Sequence, residues 1–175
     1  MLRSAAQQRV SKHEAQHVSE SRPLRSYGRR KARPLSERKD RLLNDLLPIL
    51  RLPLGKPVPA PLTGLFARPI AEIWLEIGFG SGEHLSWQAE HHQDVGFIGC
   101  EPFINGVAML LGKIRAAGVG NLAVHPGDVR DLFDVLPTGS ISRAFLNYPD
   151  PWPKRRHHRR RFVTQEHLLP LARVM

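Results

Sequence analysis

The sequence predicts an α/β fold with a parallel sheet covered by helices on both faces, and three observations carry that prediction. From Ala71 onward, short apolar runs alternate with stretches of helical period. The strand candidates are continuously apolar rather than alternating, as expected of strands buried on both faces. The first of them runs into a glycine-rich turn that opens a helix, the arrangement that places a ligand at the carboxyl ends of parallel strands.

Each element follows from its local pattern. "AEIWLEIG" (71–78) reads as a buried strand, "GEHLSWQAEHH" (82–92) as a helix, "VGFIGCE" (95–101) as a strand and "NGVAMLLGKIRAAG" (105–118) as a helix. "NLAVHPGD" (121–128) and "SRAFLNYP" (142–149) read as two more strands, and "TQEHLLPLARVM" (164–175) as a helix. The fourth strand is expected beside the first. Trp74 and Trp87 are expected in the core.

Upstream the composition changes. Residues 1–38 are polar and basic and read as a flexible tail. Ser36 is a candidate N-cap, and Leu42, Leu43, Leu46, Leu47 and Leu50 recur at helical spacing, disturbed near Pro48. "RLPLGKPVPAPLTG" cannot continue a helix, so 39–69 reads as a short helix and a Pro-rich connector. The folded domain is then expected over 70–175. It is expected to be incomplete, with C-terminal strands missing and a long apolar sheet edge exposed, because an open sheet of four strands usually continues after a helix.

Charge narrows the partner. In 175 residues, 26 Lys and Arg face 16 Asp and Glu, for a net charge of +10. Such an excess favours a polyanion. No run reaches the roughly 18–20 apolar residues that span a bilayer, so no membrane partner is expected. The single cysteine, Cys100, excludes an internal disulfide and suits a reducing cytoplasm. His84, His91, His92 and His125 do not have the spacing of a metal-ligand set, and no metal is expected. Oligomeric state is not legible.

The glycine turn is more specific. "LEIGFGSGEHL" places Gly78, Gly80 and Gly82 where the backbone must turn and approach a ligand. The spacing is G-x-G-x-G, not the G-x-G-x-x-G of dinucleotide binding. Glu76 and Glu83 flank the turn and would repel a pyrophosphate, whereas S-adenosyl-L-methionine has no phosphate and carries cationic groups that carboxylates attract. Glu101 closes the second strand, where such folds hold ribose hydroxyls, and Asp128 closes the third, within reach of an adenine amino group.

The last motif is "NYPDPWPKRRHHRRRF". Pro149 and Pro151 fix the backbone around Asp150, just past the fourth strand, and so preorganise one carboxylate. Lys154, Arg155, Arg156, Arg159, Arg160 and Arg161, with His157 and His158 among them, form a dense cationic run. Like charges at this density call for an anion, and nucleic-acid phosphates are the natural supply. Phosphates are thus gripped beside a carboxylate and a methyl donor. Trp152 is expected to pack on the core or to stack on a base.

"DPWPKRRHHRRR" joined to "EIGFGSGEHL", with "RSYGRR" and "LLPIL" upstream, resembles the bacterial tRNA (guanine-N7)-methyltransferases from about Arg25 onward. The resemblance implies a Rossmann-like class I methyltransferase fold and transfer of a methyl group from S-adenosyl-L-methionine to N7 of a guanosine in the tRNA variable loop. It implies that Glu76, Glu101, Asp128 and Asp150 contact the cofactor, with the glycines Gly78, Gly80 and Gly82 forming its turn. It makes Asp150 the catalytic residue, Lys154 a substrate contact, and Arg156, His157, His158, Arg159, Arg160 and Arg161 the RNA-contacting segment. Family members continue past the equivalent of Met175, carrying a further aspartate and a threonine-to-glutamate motif. An inactive RNA-binding fragment, or a small-molecule methyltransferase, is the competing expectation; cofactor binding separates off the first and salt-dependent substrate affinity the second.

Overall fold

The computed structural model describes residues 34–54 and 58–175; the basic run of residues 1–33 lies outside the described residues. Helix α1 (Glu37–Asp45) opens the described part, with Ser36 at its N-cap position but without a side-chain capping bond. Its last turn passes directly into α2 (Leu47–Leu50), which has Pro48 in its first turn, where a missing N–H costs nothing. A 3₁₀ turn (Leu62–Leu65) leads into β1 (Glu72–Ile77). The chain then alternates through α3 (Glu83–His91), β2 (Val95–Cys100), α4 (Ile104–Ala117), β3 (Leu122–His125), α5 (Arg130–Phe133) and β4 (Arg143–Phe145). A 3₁₀ segment (Arg155–Arg160) and α6 (Gln165–Val174) complete it. Strand–helix alternation emerges at the positions the apolar runs mark, with α5 and the two 3₁₀ segments as additions.

The four strands form one parallel sheet in the order β3-β2-β1-β4. β1 is therefore central, and its register places Trp74 beside Phe97 and Arg143, and Glu76 beside Gly99 and Phe145. This puts the glycine turn after β1 next to the segment after β4, which carries Asp150. Two apolar clusters cover the sheet. One includes Trp74, Leu85, Phe97, Leu110 and Leu111; the other includes Ile73, Leu75, Ile98, Leu132 and Val174.

The core reaches back before Ile70. Leu42 and Leu47 are buried in the first cluster, and Leu52 and Leu62 in the second. Leu52 donates its backbone N–H to Val124 O at 3.1 Å, and Arg51 forms a parallel bridge to Val124. The leucines after Ser36 thus cover α4 and the outer side of β3, rather than forming a detached helix. At the other edge β4 has only three paired residues, with Arg143 exposed, so the edge is short rather than a long apolar one. The guanidinium of Arg143 lies 4.3 Å from the centroid of Trp74 and covers that ring.

Trp74 is buried as expected, but Trp87 is not: it is 53% exposed and stacks on His91 at 4.2 Å on the outer face of α3. Two positions from both Leu85 and Ala89, which are buried, it falls on the opposite side of the helix. Among the described residues no helix is long and apolar enough to cross a membrane.

Candidate active site

A cleft of about 480 Å³ opens at the carboxyl ends of the strands. Gly78, Glu101, Asp128 and Asp150 line it together with Tyr148 and Trp152, so three of the four carboxylates the sequence singles out, each following a different strand, meet there. Arg159 and Arg160 also line it. Parallel topology explains the convergence: every strand delivers its C-terminal loop to the same edge of the sheet.

The glycine turn is shaped by backbone alone. Gly78, Gly80 and Gly82 have φ values of +73°, +58° and +78°, a left-handed conformation that side chains disfavour. Glu101 fastens this turn by accepting hydrogen bonds from Gly80 N and Phe103 N, each at 2.8 Å. Gly106, at the start of α4, is a second fixed point, because a Cβ there would stand 2.1 Å from Gly80 O. The turn, the end of β2 and the start of α4 are therefore packed backbone against backbone.

The carboxylates differ in environment. Burial pushes the Glu101 carboxyl above its ordinary value; the two backbone N–H bonds pull it back, and the nearby charge of Asp150 adds to the rise. Burial likewise raises Glu76, against the hydrogen bond and charge of His84 and a hydrogen bond from Asn147. Glu76 is 3% exposed and does not reach the cleft wall; its Oε2 lies 2.7 Å from His84 Nδ1. Burial opposes ionisation of Asp128 as well, but Arg130 outweighs it and holds that carboxyl below its usual range. Arg130 donates from Nε at 2.8 Å, from Nη2 at 2.7 Å and from its backbone N at 3.0 Å.

Other expected site residues are placed differently. Gly80 and Gly82 shape the turn without lining the cleft, and Gly82 packs on Leu110 of α4. Glu83 points away, hydrogen-bonded by Ser81 and 3.4 Å from Lys113 Nζ, so its charge is partly matched. Lys154, Arg156, His157, His158 and Arg161 lie outside the cleft. Arg161 folds back to donate to Pro151 O at 3.0 Å and Trp152 O at 3.1 Å, and Arg160 sits 4.9 Å from the Trp152 ring centroid. These two arginines hold the Asp150 turn as well as adding charge. His157 is pushed below its ordinary value by desolvation and then by Arg160, Arg156, Lys154 and Arg159.

Several cleft or near-cleft residues have no signal in the sequence pattern. His84 joins Glu76 to Gln88 and, at 3.4 Å, to Asn147, linking α3 to the segment after β4. Arg130 is held at the cleft by Asp128 two residues before it, and His167 is brought in from α6 by tertiary packing.

The model of a family described as "Putative methyltransferase" matches residues 71–175. A curated tRNA (guanine-N(7)-)-methyltransferase of Jannaschia sp. is 60% identical over 162 residues, covering 89% of this chain and 68% of the relative. The chain belongs to this methyltransferase family. The same printed name is borne by a Paracoccus denitrificans relative, 60% identical over 159 residues and covering 85% of the chain and 66% of the relative. It is also borne by a Cereibacter sphaeroides relative, 71% identical over 118 residues and covering 67% and 48%. The chain thus spans about half to two thirds of the length of these three relatives. Its parallel sheet has the Rossmann-like arrangement of the family.

The residues present fit S-adenosyl-L-methionine. A Cβ added at Gly78 would meet no protein atom within 4 Å, so the backbone of the turn is open to a ligand, and Glu101 and Asp150 repel one another in the same cleft. A ligand with cationic groups relieves that repulsion, whereas a pyrophosphate increases it.

Proposed function

We propose that the chain is a tRNA (guanine-N7)-methyltransferase that uses S-adenosyl-L-methionine. The observation that carries the proposal is that Gly78, Glu101, Asp128 and Asp150 line the same cleft as Arg159 and Arg160. Carboxylates suit a cationic cofactor, and guanidiniums suit RNA phosphates. The names of the relatives supply the substrate.

The cofactor, when bound, supplies an electrophilic methyl group on a sulfonium. Glu101, already hydrogen-bonded to the turn, and Asp128, held by Arg130, bind its ribose and adenine ends, while Glu76 adds negative charge from behind the glycine turn. Guanine N7 presents an in-plane lone pair, so no proton has to be removed before it bonds to the methyl carbon as the carbon–sulfur bond breaks. What the protein supplies is alignment and charge. Asp150 is set by Pro149, Pro151 and the Arg161 bonds to hold the base edge and to stabilise the positive charge that the purine acquires. Lys154, Arg156, His157, His158 and Arg159 sit outside or at the lip of the cleft and bind the tRNA backbone. Such chemistry belongs with tRNA in the cytoplasm.

The test is methyl transfer from labelled S-adenosyl-L-methionine to an unmodified tRNA transcript, with nucleoside analysis. The expected product is 7-methylguanosine. Its absence from a folded, cofactor-binding chain would leave an RNA-binding role instead. Asp150→Asn is expected to lower the single-turnover rate at saturating tRNA by about a hundredfold or more, the range for loss of one preorganised electrostatic group. An unchanged rate would remove Asp150 from the chemistry.

A further inference from the structure

Among the described residues, Tyr148 (φ +50°) and Trp152 (φ +38°) are the non-glycine residues with left-handed backbone, and they stand two positions to either side of Asp150. Bulky side chains at positive φ are strained, and such strain persists where the surroundings or a ligand repay it. For Trp152 the return is visible within the protein. Its ring meets His157 edge-on at 5.6 Å and Arg160 at 4.9 Å, and its carbonyl accepts from Arg161.

Tyr148 shows no such return. It is 100% exposed, yet it lines the same cleft as Asp150. A glycine there would relieve the backbone, and a polar residue would suit the exposure. The position instead holds a flat aromatic ring at the mouth of a cleft that also offers a carboxylate and two guanidiniums. Those are the complements of the three parts of a nucleotide: a π-face for the base, an acceptor for its N–H edge, and cations for phosphate.

Resting on the functional reading above, we propose that Tyr148 is the stacking platform for the purine that receives the methyl group, presented by the strained turn around Asp150. A base held in folded RNA must leave its stack to enter a cleft of this kind, and an aromatic face replaces the stacking it gives up. Tyr148 is then a substrate-positioning residue with no part in holding the cofactor, since the carboxylates and the glycine turn do that.

Wild type, Tyr148→Gly and Tyr148→Phe are compared for kcat and KM with tRNA, for S-adenosyl-L-methionine affinity by calorimetry, and for thermal midpoint. Loss of one stacked base corresponds to a factor of about 10–100 in binding. Tyr148→Gly is expected to lower kcat/KM for tRNA by about that factor, mostly through KM, while cofactor affinity stays within about twofold and the midpoint does not fall, because glycine relieves the backbone. Tyr148→Phe recovers most of the loss. A Tyr148→Gly chain with wild-type kcat/KM overturns this proposal alone. So does a loss that comes with a lower midpoint and weaker cofactor binding and that phenylalanine leaves uncorrected. A wild-type chain that binds cofactor but transfers no methyl group overturns the functional reading, and this proposal with it.

Discussion

The two ends of the cleft are built by opposite means. At the glycine-turn end, backbone packs on backbone: Glu101 bonds the N–H groups of Gly80 and Phe103, and Gly106 admits the carbonyl of Gly80. At the Asp150 end, the chain is exposed and cationic, and its turn is held by prolines, by Arg161 and by strained aromatic residues. The first end has no room to adjust. The second gathers like charges, from Lys154 through Arg161, that an incoming anion relieves. One half of the cleft is thus preorganised by close packing, and the other concentrates charge suited to a polyanion.

The largest effect that would break this contrast comes from Gly106→Ala. The new methyl would stand 2.1 Å from Gly80 O, against backbone rather than a movable side chain. Destabilisation at or above the upper end of the ~1–3 kcal/mol typical of overpacking is expected, with loss of cofactor binding. Thermal unfolding and calorimetry read both. Unchanged cofactor affinity would mean that the turn is more adaptable than its packing implies.

Next in size are the cations. In Arg156→Gln combined with Arg159→Gln, tRNA affinity is expected to fall about tenfold at moderate salt. The slope of log Kd against log salt should shrink by roughly 0.7–0.9 for each phosphate contact removed. Filter binding across a salt series measures it. An unaltered slope would mark both arginines as solvated surface.

The smallest effect is that of pH on cofactor binding. Burial raises the carboxyls of Glu76 and Glu101 above 4.5, with His84 beside the first and Asp150 beside the second. A raised folded pKa means that ionisation costs stability. The free protein therefore gains stability as pH falls through the raised values and loses it as pH rises through them. Affinity for a cationic cofactor runs the other way, weakening as these carboxyls protonate, while Asp128, held low by Arg130, stays ionised longer. Calorimetry on either side of this window tests the sign; a flat affinity would show that neither glutamate senses the cofactor's charge.

Much of the fold was legible because strands buried on both faces must be apolar throughout, as in "EIWLEI" and "VGFIGC", and because glycines at Gly78, Gly80 and Gly82 are needed wherever the backbone turns left-handed. The acids at the strand ends were legible for a topological reason: parallel strands bring all their C-terminal loops to one edge. The proline-framed Asp150 and the arginine run could be read from residue type alone.

Tertiary structure decided the rest, since contact depends on distance in space and not on spacing in sequence. Leu42 joined the core only because α4 lies beneath it, and Trp87 left it because its side of α3 faces outward. Glu76 was turned to His84, whereas Glu101 was tied to the glycine turn by β2 packing beside β1. The left-handed backbone of Tyr148 and Trp152 runs against the preference of both residue types. At Trp152 the Arg161 bonds to Pro151 O and Trp152 O hold the turn that carries it.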